Sequence, residues 1–228
     1  MTLVEALAEL EAAADPENAL RVAAYHKAPR RYLGLTVPQV AALTDQWRAD
    51  LTLDGRIALA DGLWRSDIHE ARVAAAKLLT QARIRPDGAV WTLIAGWVPD
   101  FDSWAIADHA CNAGERRLLA DPARLDDVEG WTTSPAMWTR RAALVITLPW
   151  TKQNHPSAAD LAIRDRVLGW AAGYVTDPDW FIQKAVAWWL RDLSRHDPAR
   201  TVAFLAKHGG AMKSFARSEA ARHLREAV

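Results

Sequence analysis

Five times this chain sets an acid or a serine directly before a proline: Asp15-Pro16, Asp121-Pro122, Ser134-Pro135, Asp177-Pro178 and Asp197-Pro198. Such a pair is the chemical signature of a helix start. The side-chain oxygen accepts from an orphan N–H of the first turn, and the proline sits where no intrahelical donor is needed. Thr36-Val37-Pro38 is a looser version. Between these starts, apolar residues recur with a period near 3.6. No stretch of alternating β-branched residues competes. The pattern predicts an all-α chain, with helices over 2–14, 16–27, 37–49, 53–65, 67–83, 87–97, 102–112, 115–120, 122–130, 135–148, 158–174, 178–195, 198–207 and 215–226. Connections are short apart from 28–36 and 149–156, and no low-complexity linker interrupts them, so one domain over 1–228 is expected.

Several of these helices share a theme of an aromatic or apolar residue, a basic residue, then small apolar ones. The examples are Glu70-Ala71-Arg72-Val73-Ala74-Ala75, Trp138-Thr139-Arg140-Arg141-Ala142-Ala143 and Ile182-Gln183-Lys184-Ala185-Val186. Arg141 and Lys184 are 43 positions apart, inside the range of about 40–47 for HEAT and armadillo repeats. Arg72 and Arg141 are 69 apart, which needs an irregular repeat between them. Helix pairs at such spacing stack into a curved α-solenoid. An irregular helical bundle is the competing architecture.

The 228 residues suffice for a sizeable core, and 50% hydrophobic with 25% charged residues is a globular balance. A single cysteine, Cys111, excludes an internal disulfide framework and fits a reducing cytoplasm. The N-terminus reads as an acidic amphipathic helix and not as a leader, and no apolar run is long enough for a bilayer. The net charge is zero, but residues 1–133 hold 14 basic against 20 acidic side chains, a balance of −6, and residues 134–228 hold 14 against 8, a balance of +6. The C-terminal part is therefore basic enough to meet phosphates locally. Most of the twelve tryptophans must be core, so a tryptophan's place on its helix matters more than the number.

In the segment 180–191, Ile182, Val186, Trp189 and Leu193 fall on one stripe at about 100° per residue. Trp180, Lys184 and Arg191 lie opposite it, with Phe181, Ala185 and Trp188 on the flank. Aromatics interleaved with cations away from a core stripe suit a partner that is anionic and stackable, with Lys184 and Arg191 on backbone phosphates, or one that is cationic and flat. The other reading of Trp188 and Trp180 is packing on a neighbouring helix. In 101–111, Ile106, Ala110 and Ala113 form the apolar side, and Trp104 and Asp108 stand one turn apart on the other. A carboxylate beside an indole is a cation site or an ordinary surface acid. Trp138, Arg141 and Val145 share a helix side, while Arg140 points away. Arg141 is then either a phosphate clamp or a structural cation–π partner. The seven histidines and Cys111 show no metal-ligand spacing, and neither a glycine-rich phosphate loop nor a Gly-x-Ser-x-Gly elbow is present.

Taken in order, these segments resemble the HEAT-like-repeat alkylpurine DNA glycosylases of the AlkD type, the DNA alkylation repair family. The matching stretches are Trp180 to Arg191, Trp138 to Leu144, and Trp104 with Asp108. Tyr25-His26-Lys27 with Tyr32-Leu33-Gly34-Leu35, His69-Glu70 with Ala74-Ala75, and Arg217-Ser218-Glu219-Ala220 extend the likeness over most of the chain. The resemblance implies an α-solenoid with a concave DNA-binding face. It implies a monomeric, monofunctional glycosylase that excises purines alkylated at N3 or N7 from duplex DNA without base flipping, and with no cofactor. Asp108 would be the catalytic carboxylate, Trp104 and Trp188 would flank the lesion deoxyribose, and Arg141 would hold the nearby backbone. Tyr25, Trp180, Phe181, Lys184, Arg191 and Arg140 would be DNA contacts. Ala105 stands where relatives often have an acid, and the aromatic pair before Ile-Gln-Lys is Trp180-Phe181, both departures that bear on lesion preference and rate. A non-catalytic DNA-binding protein of the same lineage and a helical protein-interaction scaffold are the alternative readings.

Overall fold

The computed structural model describes residues 1–224. Among the described residues the chain forms thirteen α-helices, three 3-10 turns and no strand, with one isolated bridge between Arg31 and Ile68. No described helix is long and apolar enough to cross a membrane. The all-α expectation holds, and the chain divides into two compact units, Met1–Ala120 and Asp121–Val228.

The first unit contains α1 (Leu3–Ala12), α2 (Pro16–His26), α3 (Val37–Ala49), α4 (Leu53–Arg65), α5 (His69–Leu78), α6 (Gly88–Trp97) and α7 (Trp104–Ala120). Asp15 caps α2 through the Asn18 N–H, and Thr36 with Gln39 closes a capping box on α3. The alanine-rich α5 is nearly all buried and packs on α3, α4 and α7. Small side chains are what let three neighbours approach one helix.

The second unit contains α8 (Leu125–Trp131), α9 (Met137–Val145), α10 (Ala158–Gly173), α11 (Trp180–Ser194), α12 (Pro198–His208) and α13 (Ser214–Ala220). Here α11 is the helix shared by its neighbours, packing on α9, α12 and α13. Its expected core stripe is confirmed: Ile182, Val186, Trp189 and Leu193 have no exposed surface.

Side-chain hydrogen bonds show how each unit stacks. In the first, the pairs Trp47–Glu9, Leu33–Glu70, Trp64–Asp100 and Arg117–Gln81 are 38, 37, 36 and 36 residues apart. In the second, Trp170–Glu129, Tyr174–Thr132, Trp189–Thr147 and His196–Asn154 are 41, 42, 42 and 42 apart. These four bonds of the second unit span nearly the 43 positions between Arg141 and Lys184, while others of the same unit, such as Arg140–Asp177 at 37 and Tyr174–Arg140 at 34, span fewer. The equivalence of Arg141 and Lys184 is one of spacing only, since Arg141 is buried and Lys184 exposed.

Several helix boundaries move. The expected breaks at 113–114 vanish, because α7 runs unbroken through a buried Gly114. A glycine costs a helix interior about 1 kcal/mol, less than the packing of this face returns. The expected 67–83 helix begins at His69, after Asp67 in the left-handed region (φ 54°), and ends at Leu78, where Thr80 Oγ and Gln81 Nε donate to the carbonyls of Ala76 and Lys77. Ser134 and Asp177 do not cap their helices. Ser134 accepts from the Ala136 N–H at 3.2 Å and Asp177 from the Asp179 N–H at 2.9 Å, so α9 and α11 start two residues later than the usual geometry would place them. The last helix, expected over 215–226, is helical over Ser214–Ala220, and 225 and 226 lie outside the described residues.

Candidate functional site

Seven of the twelve tryptophans are buried. The rest, Trp104, Trp131, Trp138, Trp180 and Trp188, keep exposed surface, and three of those, Trp104, Trp180 and Trp188, are candidate site residues. They belong to two constellations, one in each unit.

In the first unit, Trp104 opens α7 and Asp108 follows one turn later, both partly exposed, while Ile106, Ala110 and Ala113 are fully buried. Trp104 stands among other rings. Tyr25, 69% exposed, meets it edge-on at 6.0 Å and 90°, and His26 lies 5.1 Å away. Behind them, His69 stacks on His26 at 4.8 Å and on Tyr32 at 4.9 Å. The chain builds this tier through local geometry. Lys27, at φ 58°, ends α2 and turns the backbone. The Glu70 carboxylate then accepts the N–H groups of Leu33 and Gly34 at 2.9 and 2.8 Å, while the His69 N–H donates to the Arg31 carbonyl at 3.0 Å. These bonds pin 31–34 to the start of α5 and so fix Tyr32 against His69. Gly34, at φ 87°, passes so close to the Asp15 carbonyl that a Cβ would collide with it.

Burial, with the nearby charges of His26, Arg30 and His109, drives the His69 imidazole down to about 3, and burial lowers His26 as well. Both rings are therefore neutral at physiological pH, and Nδ1 of each has no hydrogen-bond partner. The rings that meet Trp104 are thus uncharged. His109, beside Asp108, is pushed down to about 4 by burial and by Lys77, against the opposing pull of Asp108.

In the second unit, Arg141 is buried and its guanidinium lies 5.6 Å from the Trp138 ring centre, so the cation–π reading of this pair is what the geometry displays. Trp138 packs on Phe181 at 4.6 Å. Arg140 donates to Asp177 and Asp179 at 3.1 and 3.3 Å and to the Ser134 and Pro135 carbonyls at 3.0 Å. It ties together the two turns that precede α9 and α11.

Farther along α11, a cleft of about 460 Å³ is lined by Trp180, Lys184, Ala187, Trp188 and Arg191, with Phe215 and Glu219 from α13. Trp180 is 48% exposed and stacks on Phe215 at 5.8 Å, and Lys184 Nζ sits 4.7 Å from its ring centre. The Trp188 indole N–H donates to Asp192 at 3.1 Å. Arg191 is held by Glu219 and by Asp192, the latter at 3.0 Å. Lys184 has no carboxylate partner among the described residues.

The structure brings Tyr25 to Trp104, and it gathers Trp180, Lys184, Trp188 and Arg191 around one cleft. Sequence reasoning did not single out His26, Tyr32 and His69 as site residues, because stacking of neutral imidazoles leaves no spacing rule to read. Phe215 had a signal. It stands opposite Ala216 and Ala220, the buried side of α13, and Glu219 follows it by one turn. Among the described residues, no group of His, Cys, Asp or Glu could hold a metal ion.

A protein described as a predicted DNA alkylation repair enzyme from Enterococcus faecalis has the same fold. It is 20% identical, with a TM-score of 0.78 over 92% of this chain and 96% of that one. AlkD2 from Streptococcus mutans is 17% identical, with a TM-score of 0.61 over 82% and 88%. The protein smu.31 from Streptococcus mutans UA159 is 17% identical, at 0.61 over 81% and 90%. No curated protein is similar enough in sequence to count as a relative. Residues 6–224 match the family described as DNA alkylation repair enzyme, and the chain belongs to that family.

Proposed function

We propose that this protein is a monofunctional DNA glycosylase that hydrolyses the N-glycosidic bond of positively charged N3- or N7-alkylated purines in duplex DNA. The observation that carries the reading is Asp108, a partly exposed carboxylate one turn from the Trp104 indole, on a helix whose Trp104 end is walled by neutral rings. An alkylated purine already bears a positive charge, so it departs with the bond pair as a neutral base and needs no general acid. The charge left behind develops on the sugar. A carboxylate and an electron-rich indole face both stabilise it. Water then bonds to the sugar carbon and its proton passes to Asp108 or to solvent, leaving an abasic site.

Trp188 is proposed to contact the lesion sugar and Arg141 the lesion-bearing strand. Arg141, buried over Trp138, would act as a fixed and directional charge. Tyr25, Trp180, Phe181, Lys184 and Arg191 are proposed as further contacts to DNA, with Arg140 keeping the turns before α9 and α11 in place for them. Reading without base flipping fits an open aromatic surface, since flipping enzymes enclose the base in a pocket. We place the protein in the cytoplasm as a monomer.

The test is incubation with a duplex containing N7-methylguanine, scored as abasic sites, beside Asp108→Asn. Release by the wild type and its loss in the variant are expected. No release by the wild type sinks the glycosylase reading. Binding of the duplex without release would favour a non-catalytic DNA-binding role.

A further inference from the structure

A second, smaller pocket of about 200 Å³ lies in the first unit, between α3, α5 and α7, and includes Arg48, Lys77, Thr80, His109 and Asn112. Asn112 follows Asp108 by one turn, on the same face of α7. The hydrogen-bonding balance of this pocket is lopsided. Two of its acceptors are engaged: Asp45 is paired with Arg48 at 2.8 Å, and Gln81 Oε1 takes a bond from Arg56 at 3.2 Å. The carbonyls of Ala76 and Lys77, which end α5, are bonded by Thr80 and Gln81 at 2.8 and 3.0 Å. Its donors are not used up. Lys77 Nζ has no ion-pair partner among the described residues, Asn112 Nδ2 spends one N–H on Glu115 at 3.1 Å, and the neutral His109 ring carries one N–H beside one accepting nitrogen. Surplus donors from two helices, α5 and α7, with one net positive charge among the lining side chains, select an acceptor that is anionic and takes bonds from several directions.

We infer that this pocket binds a phosphate oxyanion, and that in function the oxyanion is a backbone phosphodiester of the duplex, held about one helical turn from Asp108 through Lys77, His109 and Asn112. The identification of the source rests on the DNA reading above. The pocket's preference for a phosphate does not.

Two titrations test it on the full chain. Unmodified duplex is titrated over a range of salt with wild type, Lys77→Ala and Lys207→Ala, an exposed lysine on α12 that serves as a charge control. Lys77→Ala is expected to bind about tenfold more weakly and to lower the salt slope by about one, the release of about one counterion, with Lys207→Ala near wild type. Inorganic phosphate and acetate are titrated separately while the His109 ring resonances are followed. A saturable shift with phosphate, absent in Lys77→Ala and weaker with acetate, is expected. Wild-type duplex binding that Lys77→Ala leaves unchanged overturns the phosphodiester assignment while the glycosylase reading stands. Absence of duplex binding by the wild type defeats the DNA reading itself, and the phosphate titration then decides the pocket alone. No His109 shift with phosphate overturns the pocket. Matching thermal unfolding of Lys77→Ala and wild type excludes misfolding as the cause of a loss.

Discussion

Asp108 and Arg140 show how differently two polar side chains are employed. Asp108 keeps part of its surface open on α7, so removing its charge changes what the helix offers to a bound molecule more than how it packs. Asp108→Asn is expected to lower single-turnover base release about 10²- to 10³-fold, as losing one preorganised electrostatic partner does, with a melting temperature close to wild type. Arg140 is spent on the protein, with Asp177, Asp179 and two carbonyls sharing its guanidinium. Arg140→Ala leaves a nearly buried Asp177 without its cation. It is expected to cost about 2 kcal/mol in urea unfolding. A variant of unchanged stability but weakened duplex affinity would move Arg140 from the scaffold to the DNA contacts.

At the scale of elements, the first constellation depends on a loop held by one carboxylate. Glu70 is buried and takes two backbone N–H groups, those of Leu33 and Gly34. Glu70→Gln keeps the size but turns one acceptor into a donor that faces an N–H. A loss of about 2–3 kcal/mol is expected, together with a weakened Tyr32–His69 contact visible in ring chemical shifts. Full stability in this variant would remove the loop from the account of Trp104. The same scale shows what the sequence could convey. The core stripe of α11 and the exposed turn of Trp180 and Lys184 were legible, because a 3.6 period is a property of one segment. So were the caps at Asp15 and Thr36, which act within four residues. Gly114 misled because its cost is local and its compensation is tertiary. The basic balance of residues 134–228 overstated the charge on offer for a related reason. Arg164, Arg166, Arg191 and Arg200 are each paired with carboxylates of the same unit, and composition cannot distinguish a paired guanidinium from an open one. The neutral His26–His69 stack was invisible, since two residues 43 apart meet only after the loop is pinned.

At the scale of the molecule, neutral imidazoles make folding itself sensitive to pH. His69 titrates at about 3 and His109 at about 4 in the folded chain, against about 6.5 when unfolded. Between those values the unfolded chain binds protons that the folded chain refuses. Unfolding free energy therefore rises with pH across this window, is fully present above about pH 7, and is lost as pH falls from about 6.5 towards 4. For His69, buried at 7% exposure, the loss between about pH 6.5 and 5 amounts to about 2 kcal/mol. His109 is more exposed and adds less. Depressed carboxylates such as Asp160 and Asp197 contribute in the same direction but mainly below about pH 4.5, so the upper part of the window belongs to the histidines. His69→Phe keeps a flat ring against Tyr32 and cannot take a proton. Urea unfolding at pH 7.5 and 5 should show a clear drop for the wild type and a smaller one for His69→Phe. An equal drop in both would mean that His69 is protonated without penalty in the folded chain, and the platform beneath Trp104 would then carry a positive charge in mild acid that repels the cationic base proposed to bind there.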